Sequence, residues 1–80
     1  MITRLKKLRL QKGMTQKELS QYVWFGTSCN SLVWAFENLK HRDNSVYGSV
    51  DERYACEQFA FALNYDGDPM ELLELVEEDD

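Results

Sequence analysis

Thr15-Gln16-Lys17-Glu18-Leu19, followed further on by Leu32-Val33-Trp34-Ala35-Phe36-Glu37-Asn38-Leu39-Lys40, is the stretch that decides the fold. Thr15 with Glu18 three residues later is a capping box, the signature of a helix N-terminus. Gly13 stands just ahead of it, where a preceding helix needs a left-handed residue to stop. From Gln16 to about Val23, the residues Leu19, Tyr22 and Val23 recur at helical spacing and predict one apolar face. The next helix is expected to start near Cys29, with Thr27 or Ser28 as its N-cap. At about 100° per residue, Leu32, Val33, Phe36 and Leu39 share one arc, while Asn30, Trp34, Asn38 and His41 lie roughly opposite. The pattern predicts two helices joined by a turn over residues 15–40, the second lying across the first.

Outward from this pair, Thr3 is expected to cap a first helix running to about Lys12, with Ile2, Leu5 and Leu8 turned inward. On the other side, Lys40 to Gly48 reads as a polar connection. Ser49 and Glu52 have capping-box spacing and predict a fourth helix to about Asn64, with Val50, Tyr54, Phe59, Ala60, Ala62 and Leu63 on or beside its buried face. Asp68 as N-cap, Pro69 at the first helical position and Glu71 at the third predict a fifth helix. Its Met70, Leu73 and Val76 would face the core, leaving Leu72 and Leu75 over. Glu77-Glu78-Asp79-Asp80 opposes the dipole of any helix before it. The expected fold is all-α, five helices in one domain over residues 1–80.

Eighty residues leave no room for a second core. At 44% hydrophobic and 29% charged, the composition is that of an ordinary globular domain. Apolar runs such as residues 59–63 fall far short of a membrane span, and the N-terminus has no apolar run of the secretory kind. A cytoplasmic location is the expectation. Cys29 and Cys56 are too few for a disulfide framework, and with a single His no zinc site is expected. No cofactor is expected either.

The net charge of −5 argues against a polyanionic partner until its distribution is read. Residues 1–42 hold eight Lys/Arg against Glu18 and Glu37, a net +6; residues 43–80 hold Arg53 against twelve acids, a net −11. A basic half that carries the helix pair is the asymmetry of a DNA binder; the alternative is that the two halves simply balance each other within the fold.

The order helix, Gly13, Thr15-Gln16-x-Glu18-Leu19, turn, helix, Glu37-Asn38 resembles the helix-turn-helix of phage repressors and their small bacterial relatives, the Cro/repressor-like or XRE-like family. Phe59-Ala60-Phe61-Ala62-Leu63-Asn64-Tyr65 is similar to that family's Leu-Ala-x-Ala-Leu-Gly-Val. The resemblance implies a lambda-repressor-like DNA-binding domain, here with a lengthened turn at Trp24-Phe25-Gly26-Thr27-Ser28 and a lengthened loop after the third helix. It implies an Arg9–Glu37 pair inside the scaffold, whose breaking would cost on the order of 3 kcal/mol. It also implies that Gln16 and Asn38 meet phosphates and that the last helix joins two copies, here through Leu72 and Leu75.

Duplex recognition needs phosphate donors and base-reading side chains. The phosphate candidates are Gln16, Lys17, Asn38, Lys40 and Arg42. The base-reading candidates are Ser28, Asn30, Ser31 and Trp34, with Cys29 and Ala35 behind them; Asn30 suits adenine, and Trp34 or Ala35 a thymine methyl. Asn30 and Ser31 equally suit ordinary N-terminal helix chemistry, and Trp34 equally suits packing under a loop or a partner. The expected function is a sequence-specific regulator of transcription that binds double-stranded DNA as a homodimer. The alternative is a protein-interaction module on the same scaffold, an antirepressor, accessory factor or antitoxin of a mobile element. Its motivation is the acidic half and the large aromatics Trp24, Phe25 and Trp34. Catalysis is not expected: no nucleophile motif, phosphate loop or metal spacing is present.

Overall fold

A computed structural model describes residues 1–23, 30–41 and 51–78. The order of elements is β1 (Ile2–Thr3), α1 (Arg4–Gln11), α2 (Gln16–Tyr22), α3 (Asn30–Glu37), α4 (Glu52–Leu63), a 3-10 turn (Pro69–Leu73) and β2 (Leu75–Val76). The lengthened turn expected at residues 24–28 and nearly all of the lengthened loop lie outside the described residues, as do Val50 and Cys29.

Local chemistry starts and stops each helix. Thr3 Oγ1 accepts the Lys6 N–H at 3.3 Å and opens α1. At α2 both arms of the capping box form, Glu18 N–H to Thr15 Oγ1 at 3.0 Å and Thr15 N–H to Glu18 Oε1 at 2.8 Å. The ends of α1, α3 and α4 share one device. A residue in the left-handed region, Gly13, Leu39 or Asn64, lets the next amide reach back to the last turn. The closing bonds run from Met14 N–H to Arg9 O, Lys40 N–H to Ala35 O and Tyr65 N–H to Ala60 O.

The core gathers Leu5, Leu19, Val23, Leu32, Val33, Phe36, Ala55, Cys56, Phe59, Leu63, Leu72 and Leu73. Phe36 is its centre, edge-on to Phe59 with ring centroids 5.7 Å apart.

The structure corrects the five-helix, all-α expectation. Among the described residues there are four α-helices, and the predicted fifth is one 3-10 turn that hands over to a strand. Asp68 does cap it, accepting the Met70 N–H at 3.0 Å. The chain then turns extended at Glu74, and Leu75–Val76 pairs antiparallel with Ile2–Thr3. One cause is visible. The backbone ahead of α1 has free hydrogen-bonding groups, and Glu74 C=O accepts the Arg4 N–H at 2.8 Å.

Other expectations change in detail. Asp51, not Ser49, is the N-cap of α4, accepting the Arg53 N–H at 3.0 Å, and Glu52 is the first helical residue. Tyr22 and Tyr54 are exposed rather than turned to the core, because the packed faces are filled by Leu19 and Val23 and by Ala55, Cys56 and Phe59. His41 leaves the outer side of α3. It is buried and stacked on Phe36 at 4.0 Å, with Nε2–H donating to Glu52 Oε1 at 2.6 Å. The left-handed turn at Leu39 takes the chain off the helical path, so the period used to place His41 no longer applies.

The 3-10 turn is tied to the end of α4 by the Tyr65 hydroxyl, which donates to Glu71 Oε1 at 2.5 Å. That bond raises the pKa of the phenol above its usual value. Burial and the charges of Glu71 and Glu74 add to the effect, and Arg4 opposes it. The unfolded chain then releases this proton first, at about pH 10. The tie contributes fully below that pH and is lost as pH rises through the folded pKa. Urea titrations from neutral pH to beyond about 10 should show wild type losing its advantage over Tyr65→Phe at the alkaline end.

Candidate nucleic-acid interface

The candidate face is assembled around the buried carboxylate of Glu37, the last residue of α3, only 2% exposed. Arg9 of α1 grips it with two donors, Nε–H to Oε2 at 2.5 Å and one Nη to Oε1 at 3.2 Å. The other Nη of Arg9 donates to Met14 C=O at 2.7 Å, closing the loop ahead of α2. Gln16, first residue of α2, donates its amide to Glu37 Oε1 at 3.1 Å. Thr3 Oγ1 donates to the Glu37 carbonyl at 2.9 Å. Three segments distant in sequence therefore meet at the end of α3, and two charges are desolvated together with their donors in place. The Arg9–Glu37 pair expected from the resemblance is formed.

On the solvent side of this hub lie several of the predicted residues. Trp34 is 48% exposed, and Asn38 one turn later is exposed too, its amide donating to Trp34 C=O at 2.8 Å. The same carbonyl also accepts the Asn38 backbone N–H at 3.0 Å, and the side-chain bond orients the Asn38 amide. Lys40 follows, exposed. Lys17 is exposed at the start of α2, beside half-buried Gln16. One Gln16 amide hydrogen is used on Glu37, so its remaining donor is the one free to meet a phosphate.

The other candidates divide. Asn30 and Ser31 open α3, but their side chains lie outside what is described; Ser28 and Arg42 lie outside the described residues altogether. Ala35 is fully buried and cannot meet a thymine methyl; it widens the core arc on the side of Leu32 away from Phe36. Leu72 is fully buried as well, which removes it from any contact between copies; Leu75 stays exposed.

Lys6 also belongs to this face, although the sequence pattern did not single it out. It lines a small hollow together with Met1, Asn38, Leu39 and Leu75. The signal was present in the sequence: Lys6 is three residues before Arg9, so the two share a side of α1, and Arg9 points to the end of α3. Leu10 shares a second groove with Gly13, Gln16 and Lys17. Among the described residues the candidate polar groups are thus the ammonium groups of Lys6, Lys17 and Lys40 and the amides of Gln16 and Asn38, with the exposed indole of Trp34 on α3.

No family model, curated protein or solved structure matches this chain. Among the described residues no helix is long and apolar enough to cross a membrane.

Glu37→Ala leaves the Arg9 guanidinium buried without its counter-charge, and unfolding stability should fall by about 3–5 kcal/mol. Arg9→Met combined with Glu37→Leu should recover much of that loss, as read from urea midpoints.

Proposed function

We propose that this protein binds duplex DNA, laying the outer side of α3 into the major groove with the start of α2 against a flanking phosphate, and that it regulates transcription. The observation that carries the reading is the Glu37 hub. It holds Gln16, Asn38 and the axis of α3 in a fixed relation, and fixed relation is what base reading requires. Lys6, Lys17 and Lys40 supply the charge for the backbone on either side. The N-terminal N–H groups of α2 add donors of their own. The similarity to phage-repressor helix-turn-helix proteins in residues 3–40 supports the same reading.

In this reading Asn38 meets a phosphate and Trp34 touches base edges or the groove wall; the sequence assigns Asn30 and Ser31 to base reading as well. The role is binding and not catalysis, and the setting is the cytoplasm. Two copies would read half-sites about 34 Å apart. Leu75 is the remaining residue from the sequence through which copies could meet.

A second reading is favoured by one observation: Met1 and Leu75 are apolar, exposed and line the same hollow, and Trp34 is exposed one turn before Asn38, which lines it too. Apolar groups gathered in this way mark protein contacts as readily as DNA contacts. An interaction module on this scaffold would use them against a protein of a mobile element.

Charge reversal separates the two. Lys17→Glu with Lys40→Glu should abolish binding to labelled duplexes in fluorescence polarisation, including a duplex from upstream of the protein's own gene. Lys→Ala at the same two positions should reduce the slope of log K against log salt by about 0.9 for each phosphate that is no longer neutralised. A wild-type protein that leaves every duplex unbound at about 50 mM salt removes the DNA reading.

A further inference from the structure

Beyond the DNA reading, and resting on it, we infer that the acidic segment after β2 is an electrostatic brake on the duplex-binding face. The register of the two strands carries the inference. Ile2 pairs with Val76 and Thr3 with Leu75, so the same antiparallel register brings Glu77 alongside Met1. Met1 lines the hollow that Lys6, Asn38, Leu39 and Leu75 complete. The strand therefore delivers its following acids to the rim where two candidate DNA-binding residues sit.

The delivery is rigid. Thr3 is at once a strand residue, the cap of α1 and the donor to the Glu37 carbonyl. Arg4 N–H holds Glu74 C=O on the other side. The point of exit is thus fixed relative to α3. Glu77 and Glu78 are exposed, and Asp79 and Asp80 follow in the sequence.

A helix that ended in four acids would be opposed by its own dipole; a strand carries no comparable penalty. The exchange of the expected fifth helix for β2 is what makes an acidic run tolerable at this place. Where these carboxylates come within a Debye length of Lys6, about 8–10 Å at ordinary ionic strength, they offset part of its charge and repel an approaching phosphate. The outcome is a face whose affinity for any duplex is held down, so that base contacts decide more of the total.

The test uses the full chain and two double variants of equal charge change. Glu77→Gln/Glu78→Gln neutralises the rim, and Glu57→Gln/Asp66→Asn neutralises exposed acids on α4 and the loop after it. The probes are a random labelled duplex and one from upstream of the gene. The rim variant should bind both roughly three- to tenfold tighter than wild type at about 50 mM salt, with the gain shrinking at about 200 mM. The control variant should gain less than about twofold. Thermal midpoints should be close to wild type for the rim variant, since both carboxylates are exposed. A rim variant with wild-type affinity, or a control with the same gain, overturns the brake while leaving the DNA reading in place. If neither wild type nor the rim variant binds any duplex, both readings fall.

Discussion

The carboxylate of Glu37 is the constraint on which the rest of the structure depends. It ends α3, yet its partners come from α1, from the start of α2 and, through its carbonyl, from β1. An unpaired carboxylate at this depth would cost several kcal/mol. The chain must therefore bring Arg9 to it, and Arg9 in turn closes the loop ahead of α2 by its bond to Met14. The apolar core alone would tolerate helices that slide against one another by a fraction of a turn. The Arg9 fork fits the carboxylate in one way, so the pair fixes α1 against α3 where hydrophobic packing does not. Any surface built from residues of both α2 and α3 inherits that fixing.

Much of this was legible in the sequence for identifiable physical reasons. Capping chemistry is local, and Thr3, Thr15, Gly13 and Asp68 each do what their neighbours imply. The apolar arc of Leu32, Val33 and Phe36 follows from helical period and is buried as expected. Arg9–Glu37 was accessible only through resemblance to repressor-like proteins, because nothing in spacing pairs residues this far apart. The last segment is where local reading fails. Asp68-Pro69 with Met70, Leu73 and Val76 fits a helix as well as a 3-10 turn. The choice is made by backbone groups at the opposite end of the chain, which no local pattern reveals. Ala35 and His41 depart from expectation for related reasons. The buried arc is wider than the period alone suggests, and the helical period stops at Leu39.

The face as a whole shows the same division. Trp34 and Asn38 are readable as the outer side of one helix, and Lys40 follows beyond its left-handed stop at Leu39. Lys6 joins them only when α1 is docked, although its distance from Arg9 already places it on the right side. Gln16, expected to meet a phosphate, is instead shared, one amide hydrogen inward to Glu37 and one left for solvent. A residue in that position reports the state of the scaffold to the surface. Loss of the inner bond would let its outer donor swing away from its present place.

Leu39 carries one more consequence. Of the three described residues in the left-handed region, Gly13 has no side chain to object and Asn64 is of a type that tolerates it, but Leu39 is neither. It holds that conformation while its side chain packs against the core beside the hollow shared with Asn38 and Lys6. The stop at the end of α3 is therefore not written in its own residues. An excised α3 peptide would have no reason to halt there, and it would run on through Asn38 toward Lys40. The outline of the surface at this corner exists only while the assembled domain holds it, so shape and folding arrive there together.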